Sequence, residues 1–563
     1  MRVYAYIISV LVVVILLSYI SGDIALNAYE SWVKYRNPYA KALESVKYED
    51  VGAFEPLADN LVFVLLDGVT VDVLLDLRKS VSEVDKLLSM GALYINGLSI
   101  TPSYSVPARA SILTGAPPEI HSVSSNEYTG SLSVDSIVKV AWERGYITLC
   151  SGDESFERLF KDYVKECVKV EEGAGHGAIS LASGLALLRR YLGTSRVFLW
   201  VGVGDVDTMG HSVGGPAGAE YNATVINIVR LTLEFVETLK REGLFNNTLL
   251  VILNDHGFKR GGHHGGPEPE VRRIFTLFIG PRIKSGLYET LFTQYDITPT
   301  ISMLMGWRIP IVSIGKPLTE GFNIDSKRIT TYVEASRTQG YNLVKAIAEM
   351  AGVEVKGVKD PLEAYNLLVE CKLTEGMYMR IGLALVIAIL TLFITFLLLR
   401  TAKHSIKRAD IIVVALSVIA FEASYWLAYL AMQGPWSLSD IHSFNDVILK
   451  IRTLTALGGL ALGLTIGVVE LTPYRAGLRR AVARTLTALL LVVAIGFLYS
   501  LPTIVIYGLT IRFPFPDWNS AVLYFTSLMR VAFTGFTALP TSLAISIALA
   551  IIGVSLFREH KKS

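Results

Sequence analysis

Six apolar runs, each close to the length that crosses a bilayer, divide this chain and restrict what it can fold into. The first covers Val3–Ile20, and five more follow late in the chain: Ile381–Leu399, Ile411–Met432, Leu454–Val469, Thr487–Ile506 and Val531–Leu556. Between Ile20 and Ile381 the composition is that of an ordinary globular domain. The whole chain of 563 residues is 52% hydrophobic and 18% charged, and the apolar runs account for that imbalance. The organisation expected is an N-terminal transmembrane anchor at 1–22, an extracytoplasmic domain at 50–320, a helical juxtamembrane segment at 321–380 and a five-helix transmembrane domain at 381–563.

Cations in the short loops set the expected orientation. Arg400, Lys403, Lys407 and Arg408 follow the second run, Arg475, Arg479, Arg480 and Arg484 follow the fourth, and Arg558, Lys561 and Lys562 follow the sixth. The alternate loops are poorer in cations and carry Asp440, Asp446 and Asp517. Six spans with both termini cytoplasmic satisfy this pattern, which puts a multi-pass protein in the plasma membrane with its large domain outside. Membrane lipids are then partners. A net charge of +2 argues neither for nor against nucleic acid, and with no basic stripe with interleaved aromatics in the chain that partner is set aside. Glu422 falls inside the third run, where a carboxyl is either a functional group or a protonated, hydrogen-bonded one. Cys150 and Cys167 are either a disulfide, which an outside location permits, or two buried thiols.

The outer stretch reads as an α/β fold. Short β-rich apolar runs at Leu61–Leu66, Ala92–Ile100, Ile147–Cys150, Val197–Val203, Leu249–Leu253 and Ile274–Ile279 are expected as buried parallel strands. Helical patterns at Ser133–Arg144, Ala178–Tyr191 and Ala219–Arg241 separate them, so a doubly wound, mostly parallel sheet is expected. Asp325–Arg380 reads as amphipathic helix packed between domain and membrane.

The polar residues of interest fall at strand ends. Asp67, Asp207 with His211, and Asp255 with His256 each follow a strand, and His264 lies in a glycine-rich loop. Open α/β sheets bind ligands beyond the carboxyl ends of their strands. Carboxylate and imidazole without thiolate suit zinc first, with manganese as the second choice, and the number of candidate ligands suits two divalent ions. Ser105 precedes Pro107 at a helix start, so it is a nucleophile at an anion-binding helix end or an ordinary cap.

These residues, with Tyr295–Gly306 and Ile309–Leu318, resemble the alkaline phosphatase superfamily, more closely its type I phosphodiesterase and GPI ethanolamine-phosphate transferase branch. The resemblance implies an alkaline-phosphatase-like fold beside the helical transmembrane bundle. It implies one metal held by Asp67, Ser105, Asp255 and His256 and another held by Asp207, His211 and His264, with His263 a neighbour. It also implies Ser105 as a nucleophile forming a phospho-enzyme on a phosphorylated small molecule or a lipid-linked substrate. Ala108 stands where the resemblance leads one to look for an oxyanion-binding Asn, and Arg109 is expected to clamp an oxyanion instead. Two alternatives remain. Ser105-x-Pro-x-Arg109 is similar to the sulfatase signature, although Gly68 replaces that family's second aspartate. The outer domain could also be a non-catalytic part of a transporter or assembly protein.

Overall fold

The computed structural model describes all residues except 1, 174, 192, 403–407, 435, 473–476, 510–516 and 561–563. Of the loop cations above, Lys403, Lys407, Arg475, Lys561 and Lys562 therefore lie outside the described residues. The chain forms two compact units. One comprises Met1–Ser31, Leu373–Ser437 and Ile441–Ser563, and the other Trp32–Lys372 with Leu438–Asp440.

The second unit is built on a sheet of nine strands: β1 (Asn60–Leu66), β2 (Ala92–Leu98), β3 (Ile147–Ser151), β4 (Val164–Val168), β5 (Val197–Val203), β6 (Thr248–Leu253), β7 (Arg273–Ile279), β8 (Gly286–Tyr288) and β9 (Phe292–Thr293). Their order is β4-β3-β5-β1-β6-β7-β2-β8, with β9 also on β2. The central strands β3, β5, β1 and β6 are parallel. Period-two alternation sends Leu61, Phe63 and Leu65 into one core and Val62, Val64 and Leu66 into the other. Both faces are covered, as a doubly wound sheet requires.

The expected fold class is the observed one, with one strand reversed. β7 is antiparallel to both β6 and β2. A parallel return would need a crossover helix. The β6–β7 connection instead holds the loop with His256 and His264 and one short helix, Pro269–Arg272, so the chain turns straight back. Strands β4, β8 and β9 were not among the expected strands. β4 and β8 lie toward the sheet margin and are partly exposed, and β9 has only two residues, so none carries the apolar run that marks the inner strands. The expected 325–380 helix is interrupted: Ser326–Met350 and Pro361–Thr374 are separate helices, with Gly352 and Gly357 at positive φ between them.

Among the described residues six helical segments are long and apolar enough to cross a membrane, one for each expected run. The last is longer than expected. It starts at Trp518, is capped by the Asp517 carboxylate, and runs through a π-helical turn at Thr534–Ala538 to His560. Arg530 had masked its beginning in the hydropathy. Arg484, expected in a cytoplasmic loop, is instead wholly buried inside helix Leu478–Tyr507 and pairs with Asp410 and Glu470. Glu422 pairs with Arg530 and accepts a hydrogen bond from Trp426 Nε1 at 3.1 Å, so its partner is an arginine and not a neutral neighbour.

Cys150 and Cys167 are opposite one another on β3 and β4 and form a disulfide across 17 residues of chain. Closing a loop of that size restricts the unfolded chain by about 3 kcal/mol. Replacing both cysteines with alanine should lower the unfolding free energy of the detergent-purified protein, read from chemical denaturation, by an amount of that order, and so lower the midpoint. An unchanged midpoint would show that the crosslink does not stabilise this unit.

Candidate active site

The expected ligands meet at the carboxyl edge of the parallel strands. Asp67 leaves the end of β1 with its N–H bonded to Val203 O at 3.0 Å. Gly68 follows at φ 74°, and a Cβ there would stand 2.7 Å from the Phe258 ring and 3.0 Å from the Asp207 Cα. Glycine is therefore required for the turn and for the close approach of the next helix. That helix, Asp205–Val213, carries Asp207 and His211 one turn apart, so both face the same side. Asp255 and His256 open the loop after β6 and are fully buried. Asn254 holds that loop by donating to Val69 O at 2.8 Å and His256 O at 3.1 Å.

Backbone carbonyls fix the imidazoles. His256 Nδ1 lies 3.2 Å from Gly257 O and His264 Nδ1 lies 3.0 Å from Ser103 O. A carbonyl only accepts, so each Nδ1 carries the proton and each Nε2 turns its lone pair to the site, as metal-binding histidines do. The donor atoms of Asp207, His211 and His264 lie within 4.8 Å of one another, and so do those of Asp67, Asp207 and His256. Asp207 thus stands between the two groups that the resemblance separates. Asp255 directs Oδ1 to the N–H groups of Gly68 at 3.3 Å and His256 at 3.0 Å. Its Oδ2, like Asp207 Oδ1, is buried with no hydrogen-bond partner. Lone-pair nitrogens and donorless carboxylate oxygens turned on one region are the donor set that divalent cations take, and the residues fit such ions.

The electrostatics agree. Burial pushes the Asp207 and Asp255 carboxyls well above the usual range, and the Asp67 charge pushes them further. Asp67 itself is down at about 2, because the Arg109 guanidinium and the neighbouring imidazoles overcome its burial. Burial lowers His256 to about 4 and takes His264 well below the imidazole norm, which keeps both neutral.

Ser105 is the first residue of helix Ser105–Thr114, which has no side-chain cap at its start. Its Oγ instead lies 3.1 Å from His256 Nε2 and 3.5 Å from Asp67 Oδ1, so the hydroxyl stands among the candidate ligands and does not cap the helix. Arg109, one turn on, is nearly buried. It donates from Nη2 to Asp67 at 2.6 Å and from Nε to Asp153 at 2.7 Å, and Nη1 stands 4.0 Å from Asp255. Two edges of its fork are engaged by carboxylates, so it balances their charge and is not the free clamp expected. His263 places Nδ1 3.0 Å from His211 Nδ1. Its N–H donates to Ser439 O at 2.7 Å, and Asp440 pairs with Lys259 at 2.7 Å, so Leu438–Asp440 steadies the ligand loop.

Sequence reasoning missed two residues. Asp153 follows β3, caps helix Glu154–Leu159 and also accepts from Trp200 Nε1 at 2.8 Å. The strand-end rule would have found it. Asn126, not position 108, brings an amide to the site: its Oδ1 accepts from Val106 N–H at 3.0 Å. Both line a cavity of about 500 Å³ with Asp67, Ser105, Arg109 and Asp207.

Residues 61–138 and 153–266 match the model of the type I phosphodiesterase / nucleotide pyrophosphatase family. The chain is similar to GPI ethanolamine phosphate transferase 2 of Aspergillus fumigatus, 20% identical over 460 residues that cover 70% of this chain and 58% of that protein. It is also similar to GPI ethanolamine phosphate transferase 3 of Eremothecium gossypii, 23% identical over 315 residues that cover 50% of this chain and 30% of that one. The chain thus spans less than two thirds of the length of these relatives. Among solved structures, alkaline phosphatase PafA is 14% identical, with 48% of this chain and all of that one covered at a TM-score of 0.42. The matched residues lie within the unit Trp32–Lys372, and the matching family is the branch to which the motifs pointed.

The crowded carboxylates make the metal-free state costly. Chelation should lower the melting temperature, and in the chelated protein Asp207→Asn should raise it by about 2–4 °C by removing a carboxyl whose ionised form burial and the Asp67 charge disfavour. Scanning fluorimetry with and without added zinc or manganese measures both. A melting curve indifferent to chelator and to the substitution would contradict the reading of the site as a metal centre.

Proposed function

We propose that this chain is a membrane-bound phosphotransferase that moves a phosphoester group through a covalent Ser105 intermediate at the outer face of the membrane. The observation that carries this reading is the Ser105 hydroxyl, set at a helix start between Asp67 and His256 and not used as a cap. Asp67, Asp255 and His256 would hold one divalent ion beside Ser105, and Asp207, His211 and His264 a second. Zinc suits these donors best, with manganese the alternative. Such ions lower the pKa of the serine hydroxyl and take up charge on the departing oxygen.

The side chains divide the remaining work. Ser105 Oγ attacks phosphorus, the bond from phosphorus to the first alcohol breaks, and the alcohol leaves with a proton. An acceptor hydroxyl or water then attacks the phosphoserine and regenerates Ser105. Helix Ser105–Thr114 turns its N-terminal end toward the phosphoryl oxygens. Asn126, whose Oδ1 is taken by Val106 N–H, presents its amide nitrogen to them. Arg109 keeps Asp67 ionised and ready to bind a cation.

The substrate reading draws on the two relatives, which are ethanolamine phosphate transferases, and on the six apolar helices. A lipid-linked phosphoethanolamine donor or acceptor at the outer leaflet accords with both. The sulfatase reading has less support, since Gly68 leaves no room for a second aspartate and the cluster is rich in histidine.

Ser105→Ala should cut turnover of bis(p-nitrophenyl) phosphate by at least about 1,000-fold while leaving the fold and bound metal intact. Mass spectrometry of the wild-type peptide should show an unmodified Ser105. Full activity in Ser105→Ala, or formylglycine at 105, would overturn the serine phosphotransfer reading. A change in phosphoethanolamine-bearing lipids on deletion of the gene would identify the substrate class.

A further inference from the structure

One buried histidine in the site cavity is used by none of the above. His176 opens helix His176–Tyr191 and is 5% exposed, and it lines the same cavity of about 500 Å³ as Ser105, Asn126 and Asp207. Its Nδ1 accepts the N–H of Gly204 at 3.2 Å. A backbone N–H only donates, so Nδ1 is unprotonated and the proton of the neutral ring is on Nε2. Ser180 Oγ, at 3.4 Å, is also on the Nδ1 side. Asp205 Oδ2 stands 4.0 Å from Nδ1, beyond hydrogen-bond reach, and the two Asp205 oxygens accept from Gly175 N–H at 3.0 Å and Gly177 N–H at 2.6 Å. These bonds tie the start of the His176 helix to the β5 end that also carries Asp207. Among the described residues Nε2 has no protein partner.

His176 is nearly buried and lines the cavity, so the acceptor for its Nε2–H is water or a ligand in that cavity. We propose that His176 is a further catalytic residue, whose Nε2–H donates a hydrogen bond to an oxygen of the bound phosphoester on the Asp207 side of the cavity. The proposal rests on the phosphoester reading of the site. Its geometry selects an acceptor oxygen and disfavours a cationic group at this point, because the ring presents hydrogen and not a lone pair.

The test uses the full-length protein in detergent with His176→Phe, which removes the donor, and His176→Gln, whose amide nitrogen reaches a similar place. The measurements are kcat and KM on bis(p-nitrophenyl) phosphate and the melting-temperature increment given by orthovanadate. His176→Phe should lose about 10-fold to 100-fold in kcat/KM and most of the vanadate increment. His176→Gln should recover to within a few-fold of the wild type on both. His176→Phe within two-fold of the wild type overturns the proposal. So does His176→Gln as impaired as His176→Phe when the two melt alike without ligand. A wild type that binds vanadate without turning over phosphodiester, with the increment lost in His176→Phe, would refute the transferase reading yet uphold this contact.

Discussion

Asp67, Asp153, Asp207 and Asp255 bring four carboxylates to one buried edge of the sheet, and the arrangement there follows from how their repulsion is met. Arg109 meets part of it, bonded to Asp67 and Asp153 with Asp255 at 4.0 Å. Buried charges are tolerated only when they are paired or bind metal. Asp153 is fully provided for, by Arg109, Trp200 and the helix it caps. Asp207 and Asp255 are not, since each keeps one oxygen without a donor. That unequal provision separates a structural carboxylate from those left for cations. It also explains why Arg109 is better placed as a charge balance than as an oxyanion clamp.

The sheet topology makes this concentration feasible. Parallel strands β1, β3, β5 and β6 all end at one edge, so each delivers its next residues to the same place. The reversal of β7 then matters. Without a crossover helix after β6, the chain from Asn254 to Arg272 is free to fold over that edge and carry Asp255, His256 and His264 into it. Segment Leu438–Asp440 braces this loop through Ser439 and Asp440.

Much of this was legible in the residues themselves. Inner strands are buried on both faces and so read as unbroken apolar runs, and the ligands follow those runs at once. Asn126 and the marginal strands were not legible for a common reason: their roles arise from tertiary proximity and leave no periodic or compositional trace. Ser-Ser-Asn126 looks like any polar loop until Val106 N–H is seen to orient it. His176 is the same kind of case, since only the bond from Gly204 tells which nitrogen carries the proton. The direction of β7 was misjudged because an apolar strand carries no sign of its neighbours' polarity, and only the missing helix before it does.

The helical unit shows the opposite failure, in which hydropathy hides chemistry. Arg484 and Arg530 are almost wholly buried in helices whose apolar neighbours dominate any window average. An arginine in hydrocarbon surroundings is costly unless a carboxylate and further donors or acceptors meet it. Arg484 has Asp410 and Glu470, and Arg530 has Glu422 with the ring of Tyr425 4.4 Å from its guanidinium. Helices faced only with leucine and alanine can rotate or slide against one another at little cost, because lipid is as apolar as the partner. Here rotating helix Leu478–Tyr507 would separate Arg484 from carboxylates on two other helices at once, and slipping Trp518–Phe533 would part Arg530 from Glu422. The ionic pairs therefore fix which helices are neighbours and in what register, a specificity that apolar packing in a bilayer does not supply.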